Sequence, residues 1–322
     1  MAVNEKRPVI AVDIGGTSIR IALVSSDGVI RDRYHTATSA AEGPPVVSGK
    51  LYYGIEALFK KNRLSSVQVH AVSIAFAGII DMKRGMVTAA PHLPGWEDFP
   101  LKDTVEDRFG ITACVLNDAD AAVLGEHRFG AGKGCSEVVL LTLGTGIGGG
   151  VITGGRLLTG SVVSAAEPGH MILESDGPAC FCGRNGCFET LVSGTAIERA
   201  ARERLAGGES SLLTGITNGH PEDVTAEMVH RAAIEGDALS LRVIEQAAYY
   251  LGIGLLNIVA IFSPEMIIIG GSVAEMGELL LGPARNMVSE KSFPAMAENV
   301  KIVRAQLGND AGMIGAAVYA YR

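Results

Sequence analysis

Twice in this chain an apolar strand runs into a glycine-bearing bend and out into a second apolar strand. The copies are DIGGTSIRIALV, Asp13 to Val24, and LTLGTGIGGGVI, Leu141 to Ile152. The first sits in PVIAVDIGGTSIRIALVSSDGVIRDRYHTAT, which reads as three strands joined at Gly15-Gly16 and at Asp27-Gly28. Pro44 to Leu64 begins as a loop and turns helical, and VQVHAVSIAFAGII returns to a strand pattern before a turn at Asp81 to Gly85. This β-β-β-α-β order recurs around the second hairpin, so the chain is read as two equivalent α/β halves. Between them ITACVLND is a strand and DAAVLGEHRFG a helix. From Thr225 the pattern is helical with a break near Gly236-Asp237, PEMIIIGGSV is a buried strand, and AGMIGAAVYAYR is a small-residue helix. The repeat places a small α/β lobe at 1–116, completed by a C-terminal helix at 308–322, and a large lobe at 117–307.

A chain of 322 residues, 48% hydrophobic and 19% charged, can bury cores of that size. The N-terminal apolar run before Asp13 is too short for a signal-peptide core. The stretch Ala247 to Phe262 is interrupted by Asn257 and falls short of the roughly 18 residues of a spanning helix, so it is read as a buried core helix. A net charge of -8 without a Lys/Arg cluster argues against nucleic acid or an anionic membrane as partner.

Three of the five cysteines lie in GHMILESDGPACFCGRNGCFET, Gly169 to Thr190. A disulfide, a metal site, a redox pair and chance are all open from that fact. Five cysteines in a long chain with cytosolic character do not make a disulfide framework, which moves metal binding ahead of cystine.

Glycines at a hairpin bend let backbone N–H groups approach a ligand, and hydroxyls beside them suit phosphate oxygens. Gly15, Gly16, Thr17 and Ser18 form one such set, with Asp13 able to hold Mg²⁺ through water and no basic neighbour before Arg20. Gly144, Thr145 and Gly146 repeat the device, and Gly270-Gly271 after a strand suits a nucleoside. A Gly-Gly bend is usually only a turn. Neither hairpin matches a P-loop or a dinucleotide fingerprint.

The ordered motifs DIGGT, LNDADAAVLGE, LTLGTGIGGG, ExGH, CxCGxxGCxE and IIIGG, from about Val9 to the C-terminus, resemble the ROK family of sugar kinases, transcriptional repressors and related proteins. The resemblance implies two ribonuclease-H-like, actin-like ATPase lobes with ATP and sugar meeting in an interlobe cleft. It makes Asp118 the general base and Asn117 a sugar ligand. A carboxylate where a helix opens is kept ionised by the dipole and the free N–H groups, although an N-cap pair has the same look. Asp120 is assigned no role. Glu167 and His170 of AAEPGH match the sugar-binding ExGH motif, with Pro168 less usual between them. Glu189 and Gly78 match further sugar contacts.

The same resemblance makes His170, Cys180, Cys182 and Cys187 a structural Zn²⁺ site, one nitrogen and three sulfurs in a closed tetrahedral set. Cys114 and Cys135 are left as small buried hydrophobes. Glucokinase-like members carry asparagine before LPGW where this chain has His92, which is either a sugar contact or a surface residue. The implied activity is ATP- and Mg²⁺-dependent phosphorylation of the 6-hydroxyl of a hexose, with glucose and N-acetylmannosamine the leading substrates and fructose or allose further candidates. A cytoplasmic homodimer is implied with it. ROK repressors place a helix-turn-helix before the body, and a first strand near Val9 leaves no room for one; a sugar sensor without turnover is the remaining alternative.

Overall fold

The six residues Val9–Ile14 are buried without a break, the mark of a strand covered on both faces. A computed structural model describes residues 7–91, 93–163 and 165–322. Along the chain come β1 (Val9–Ile14), β2 (Ser18–Val24), β3 (Ile30–Ala37), α1 (Gly43–Asn62), β4 (Val72–Phe76), β5 (Ile79–Asp81) and β6 (Met86–Ala89). Then follow α2 (Leu101–Phe109), β7 (Ala113–Asn117), α3 (Asp118–Phe129), β8 (Val138–Leu143), β9 (Ile147–Thr153) and β10 (Arg156–Leu157). A helical stretch comprises α4 (Glu189–Val192), α5 (Gly194–Ala206), α6 (Leu213–Ile216), α7 (Ala226–Ile234) and α8 (Ala238–Phe262). The chain ends with β11 (Met266–Gly270), α9 (Glu278–Lys291), α10 (Pro294–Ala297), β12 (Lys301–Arg304) and α11 (Ala311–Ala320).

Two five-stranded sheets have the orders β3-β2-β1-β4-β7 and β10-β9-β8-β11-β12. In the first, β1 is antiparallel to β2 and parallel to β4. In the second, β10 is antiparallel to β9, and β8, β11 and β12 run parallel. The duplicated hairpin of the sequence thus heads two sheets of one topology. The repeat is not uniform: five helices stand between β10 and β11, where the first half has α1 alone before β4. α1 also begins earlier than expected. Pro44 and Pro45 lie inside its first turn, where a missing N–H costs nothing.

Contacts group Met1–Ser136, Gly150–Ala166 and Ala305–Arg322 as one unit, and Glu137–Gly149 with Glu167–Arg304 as another. This differs from the boundary drawn after residue 116, and helix packing gives the reason. A Cβ on Gly315 of α11 would lie 1.6 Å from the Ala121 carbonyl of α3, and one on Gly125 would lie 2.5 Å from the Ala311 carbonyl. The two helices touch backbone to backbone, so α3 belongs with α11. Glu126, fully buried on α3, completes the arrangement. Its Oε1 accepts the N–H groups of Gln306 and Leu307 and its Oε2 that of Ala131, so the charge carries three backbone donors.

In the other unit the break at Gly236 (φ 87°) separates α7 from α8. α8 is 25 residues long, enough by length and composition to cross a membrane. The expectation of a buried core helix holds for one face only: Leu251, Leu255 and Ile258 are inaccessible, whereas Tyr249 and Ile261 are 51% and 65% exposed.

Candidate active site

In the first unit the DIGGTS bend is tied down by its own backbone. The Gly15 N–H donates to Ser18 O, and the Thr38 hydroxyl donates to Gly15 O at 2.6 Å. Neither Gly15 nor Gly16 has a positive φ. Gly15 therefore leaves space without a left-handed backbone, since a Cβ there would meet Ser18 O only at 3.8 Å. Asp13 is 7% exposed at the end of β1 and faces Arg20 directly across the β1–β2 ladder. The Arg20 guanidinium donates from Nη2 to Asp13 Oδ2 at 2.8 Å and from Nη1 to the Asn309 carbonyl. Burial pushes the Asp13 carboxyl up and Arg20 pulls it back. The sequence separation to Arg20 thus gave the wrong impression, because the hairpin folds that cation onto the carboxylate. Oδ1 remains the oxygen that does not contact Arg20.

Asn117 ends β7 and caps α3. Its Oδ1 accepts from the Ala119 and Asp120 N–H groups at 2.8 and 3.2 Å, and its Nδ2 donates to Gly78 O at 3.0 Å. The N-cap reading is therefore realised at Asn117 itself. Asp118 is the first residue of α3 and partly exposed, with Oδ1 accepting from the Ala119 N–H at 3.0 Å. A carboxylate in this first turn sits in the favourable field of the helix. Gly78 cannot carry a side chain, since a Cβ would meet Ala89 O at 2.6 Å. Asp120 is fully buried. His92 lies outside the described residues.

In the second unit Gly144, Thr145 and Gly146 form the bend between β8 and β9. Gly144 O accepts the Gly194 N–H at 2.8 Å and Thr145 O accepts the Thr195 hydroxyl at 2.7 Å, which fixes the bend to the start of α5. Gly270 closes β11, and Gly271 (φ 87°) passes so near β8 that a Cβ would lie 2.3 Å from Leu143 O. Only glycine fits there.

Glu167, His170 and the three clustered cysteines lie on the stretch between β10 and α4. Glu167 precedes a short 3₁₀ turn over Pro168–His170, so the proline occupies a position that needs no donor. Desolvation pushes the Glu167 carboxyl up, His170 pulls it down and Glu189 adds to the rise. The donor atoms of His170, Cys180, Cys182 and Cys187 all lie within 4.8 Å of one another. The Cys182 and Cys187 sulfurs are 3.6 Å apart, and Cys180 Sγ is 3.6 Å from His170 Nδ1. Zn–S bonds of about 2.3 Å and a Zn–N bond of about 2.0 Å imply tetrahedral edges of about 3.5–3.8 Å, which these two separations match, and the four donors together could hold a metal ion. Gly183 and Gly186 (φ 85° and 63°) turn the chain between ligands. The Arg184 side chain, 3.4 Å from Cys182 Sγ, lowers that thiol to about 6, while burial raises Cys180 and Cys187. Glu189 opens α4 beside this cluster, its Oε1 3.0 Å from Cys180 Sγ and 3.6 Å from His170 Nδ1. Cys114 and Cys135 stand outside the set and are only partly buried.

The ROK family model matches residues 9–322. The chain belongs to the ROK family. The glucokinase of Thermotoga maritima is 38% identical over 312 residues, 97% of this chain and 96% of its own. An Escherichia coli N-acetylmannosamine kinase is 34% identical over 313 residues, 97% of each chain. Among solved structures, a ROK family glucokinase from Streptomyces griseus in complex with glucose and AMPPNP matches with a TM-score of 0.83 and 36% identity, over 98% of this chain and 99% of that one. With two sheets of one strand order, this ROK chain has the α/β fold of ribonuclease-H-like, actin-like ATPase lobes.

Reading this ROK sequence by motif missed Arg20 and the anchors Gly194 and Thr195. Arg20 was findable by hairpin counting, because positions 13 and 20 are equidistant from a bend centred on 16 and 17. The anchors had no local signal.

Proposed function

We propose that this chain is an ATP-dependent hexose kinase acting on the 6-hydroxyl of glucose, with N-acetylmannosamine as the second substrate to test. The observation that carries this reading is the likeness, over nearly both full lengths, to a glucokinase whose structure holds glucose and AMPPNP. Asp118 accepts the proton of the attacking hydroxyl as that oxygen bonds to the γ-phosphorus and ADP leaves. Asn117, the Gly78 backbone, Glu167, His170 and Glu189 are the sugar-binding groups of this reading. The bends at 15–18 and 144–146 hold phosphate oxygens through N–H groups and hydroxyls, and Gly270-Gly271 lies against the nucleoside. Mg²⁺, when bound, neutralises charge on the β- and γ-phosphates, and Asp13 would hold it through water by Oδ1. Zn²⁺, held by His170, Cys180, Cys182 and Cys187, has a structural role, since four protein ligands leave no open position. The enzyme works in the cytoplasm as a homodimer.

Coupled ADP release over a panel of glucose, N-acetylmannosamine, N-acetylglucosamine, fructose and allose tests the reading. Turnover with glucose above all others is the expected result. ATP turnover that no sugar stimulates would replace the kinase by a sugar sensor.

A further inference from the structure

We infer that Gly146 is a positioning residue for Glu189, so that the bend between β8 and β9 sets sugar affinity as well as holding nucleotide; the inference rests on Glu189 being a sugar ligand. A Cβ built on Gly146 would lie 2.8 Å from Glu189 Oε2, and, apart from the flanking residues 145 and 147, the only other heavy atom of the described residues within 4 Å is Glu189 Cδ. That distance is shorter than real Cβ contacts, so any side chain at 146 must displace this one carboxylate. Gly146 has no positive φ, so its backbone does not require glycine. Beyond the flanking residues, the group that a side chain at 146 would meet is the Glu189 carboxylate.

Glu189 has little room to yield. Its other oxygen already lies 3.0 Å from Cys180 Sγ and 3.6 Å from His170 Nδ1, so moving away from the bend drives it into the metal-ligand cluster. The bend cannot retreat either, because Gly144 O and Thr145 O are held by the Gly194 N–H and the Thr195 hydroxyl, five and six residues beyond Glu189 on the same stretch of chain. One short segment thus carries both the sugar carboxylate and the anchors of the phosphate bend. An added methyl group has to swing the carboxylate sideways, out of register with the hydroxyl it binds.

The test measures sugar dissociation constants without nucleotide for the parent, Gly146→Ala, Glu189→Asp and the double variant, with metal content of each. Gly146→Ala should weaken sugar binding about ten- to a hundredfold with metal retained, the cost of misplacing a ligand by a fraction of an ångström to about one. The shorter Glu189→Asp side chain relieves the clash, so its own penalty should shrink or reverse in the Gly146→Ala background. Parent-like sugar affinity in Gly146→Ala, or penalties that simply multiply in the double variant, would overturn the inference while leaving Glu189 a sugar ligand. Unchanged affinity in Glu189→Asp alone would overturn the ligand reading and the inference with it.

Discussion

At the scale of single residues, structure and proposed chemistry fall to two adjacent positions, Asn117 and Asp118. Asn117 spends its carbonyl on capping α3 and one N–H on Gly78, while Asp118, one residue later, is partly exposed. Asp118→Asn should therefore fold and bind sugar but lose about 10²- to 10⁴-fold in kcat, because an amide keeps the shape and cannot accept the proton. Parent-like kcat alongside parent-like sugar affinity would remove Asp118 from the base role. Asp237 presents the opposite case, a carboxylate whose work is purely structural. Burial raises it, but hydrogen bonds from Ser240, from the Leu212 N–H and from Ser211 outweigh that, and its pKa ends below the ordinary value of 3.8. A depressed carboxyl stabilises the fold above its unfolded pKa, and that contribution disappears as pH falls through the folded one. The parent should thus lose stability more steeply than Asp237→Asn below about pH 4, read as denaturation midpoints between pH 5 and pH 3.

At the scale of elements, close helix contact and the loop lengths decide what each part can tolerate. α3 and α11 meet through Gly125 and Gly315, where backbone carbonyls occupy the space of a side chain. Gly315→Val must force the helices apart, and a loss of roughly 3 kcal/mol or more is expected in chemical denaturation. A midpoint within error of the parent would show that the helices repack freely. How the sequence foresaw these elements depended on whether the signal was local. The α7–α8 break at Gly236-Asp237, the N-cap at Asn117 and the turn after β5 are written in neighbouring residues, and they appear where expected. The start of α1 was misjudged because two prolines resemble a loop until the first turn of a helix is allowed for. That α8 is a core helix is legible in its hydropathy, but which face packs is not, because hydropathy reports composition and the packed face is set by neighbours far away in sequence.

At the scale of the molecule, one metal ion would organise a large share of the sugar-binding groups without supporting either sheet. The ligands span His170 to Cys187, and both five-stranded sheets are built from strands outside that loop. Protein purified without chelator should hold one Zn²⁺ per chain. Stripping it, or Cys182→Ser, should lower sugar affinity through His170 and Glu189 while thermal unfolding of the remainder shifts by only a few degrees, as expected when about 1 kcal/mol is lost from a chain of this size. Active enzyme without stoichiometric zinc, or metal-free protein with undiminished sugar affinity, would contradict this.

The sequence by itself determined the duplicated hairpins, the α/β class, the family and the chemical identity of the candidate ligands, because each is encoded in runs of a few residues or in ordered motifs. Tertiary structure alone decided that Arg20 lies on Asp13, that Glu126 holds the chain at Gln306 and Leu307, and that Glu189 Oε2 faces Gly146. The physical reason is distance along the chain: Glu126 and Leu307 are 181 residues apart, and Gly146 lies in the bend between β8 and β9 whereas Glu189 opens α4. Such contacts form where packed backbones bring the residues together, and no neighbouring residue announces them.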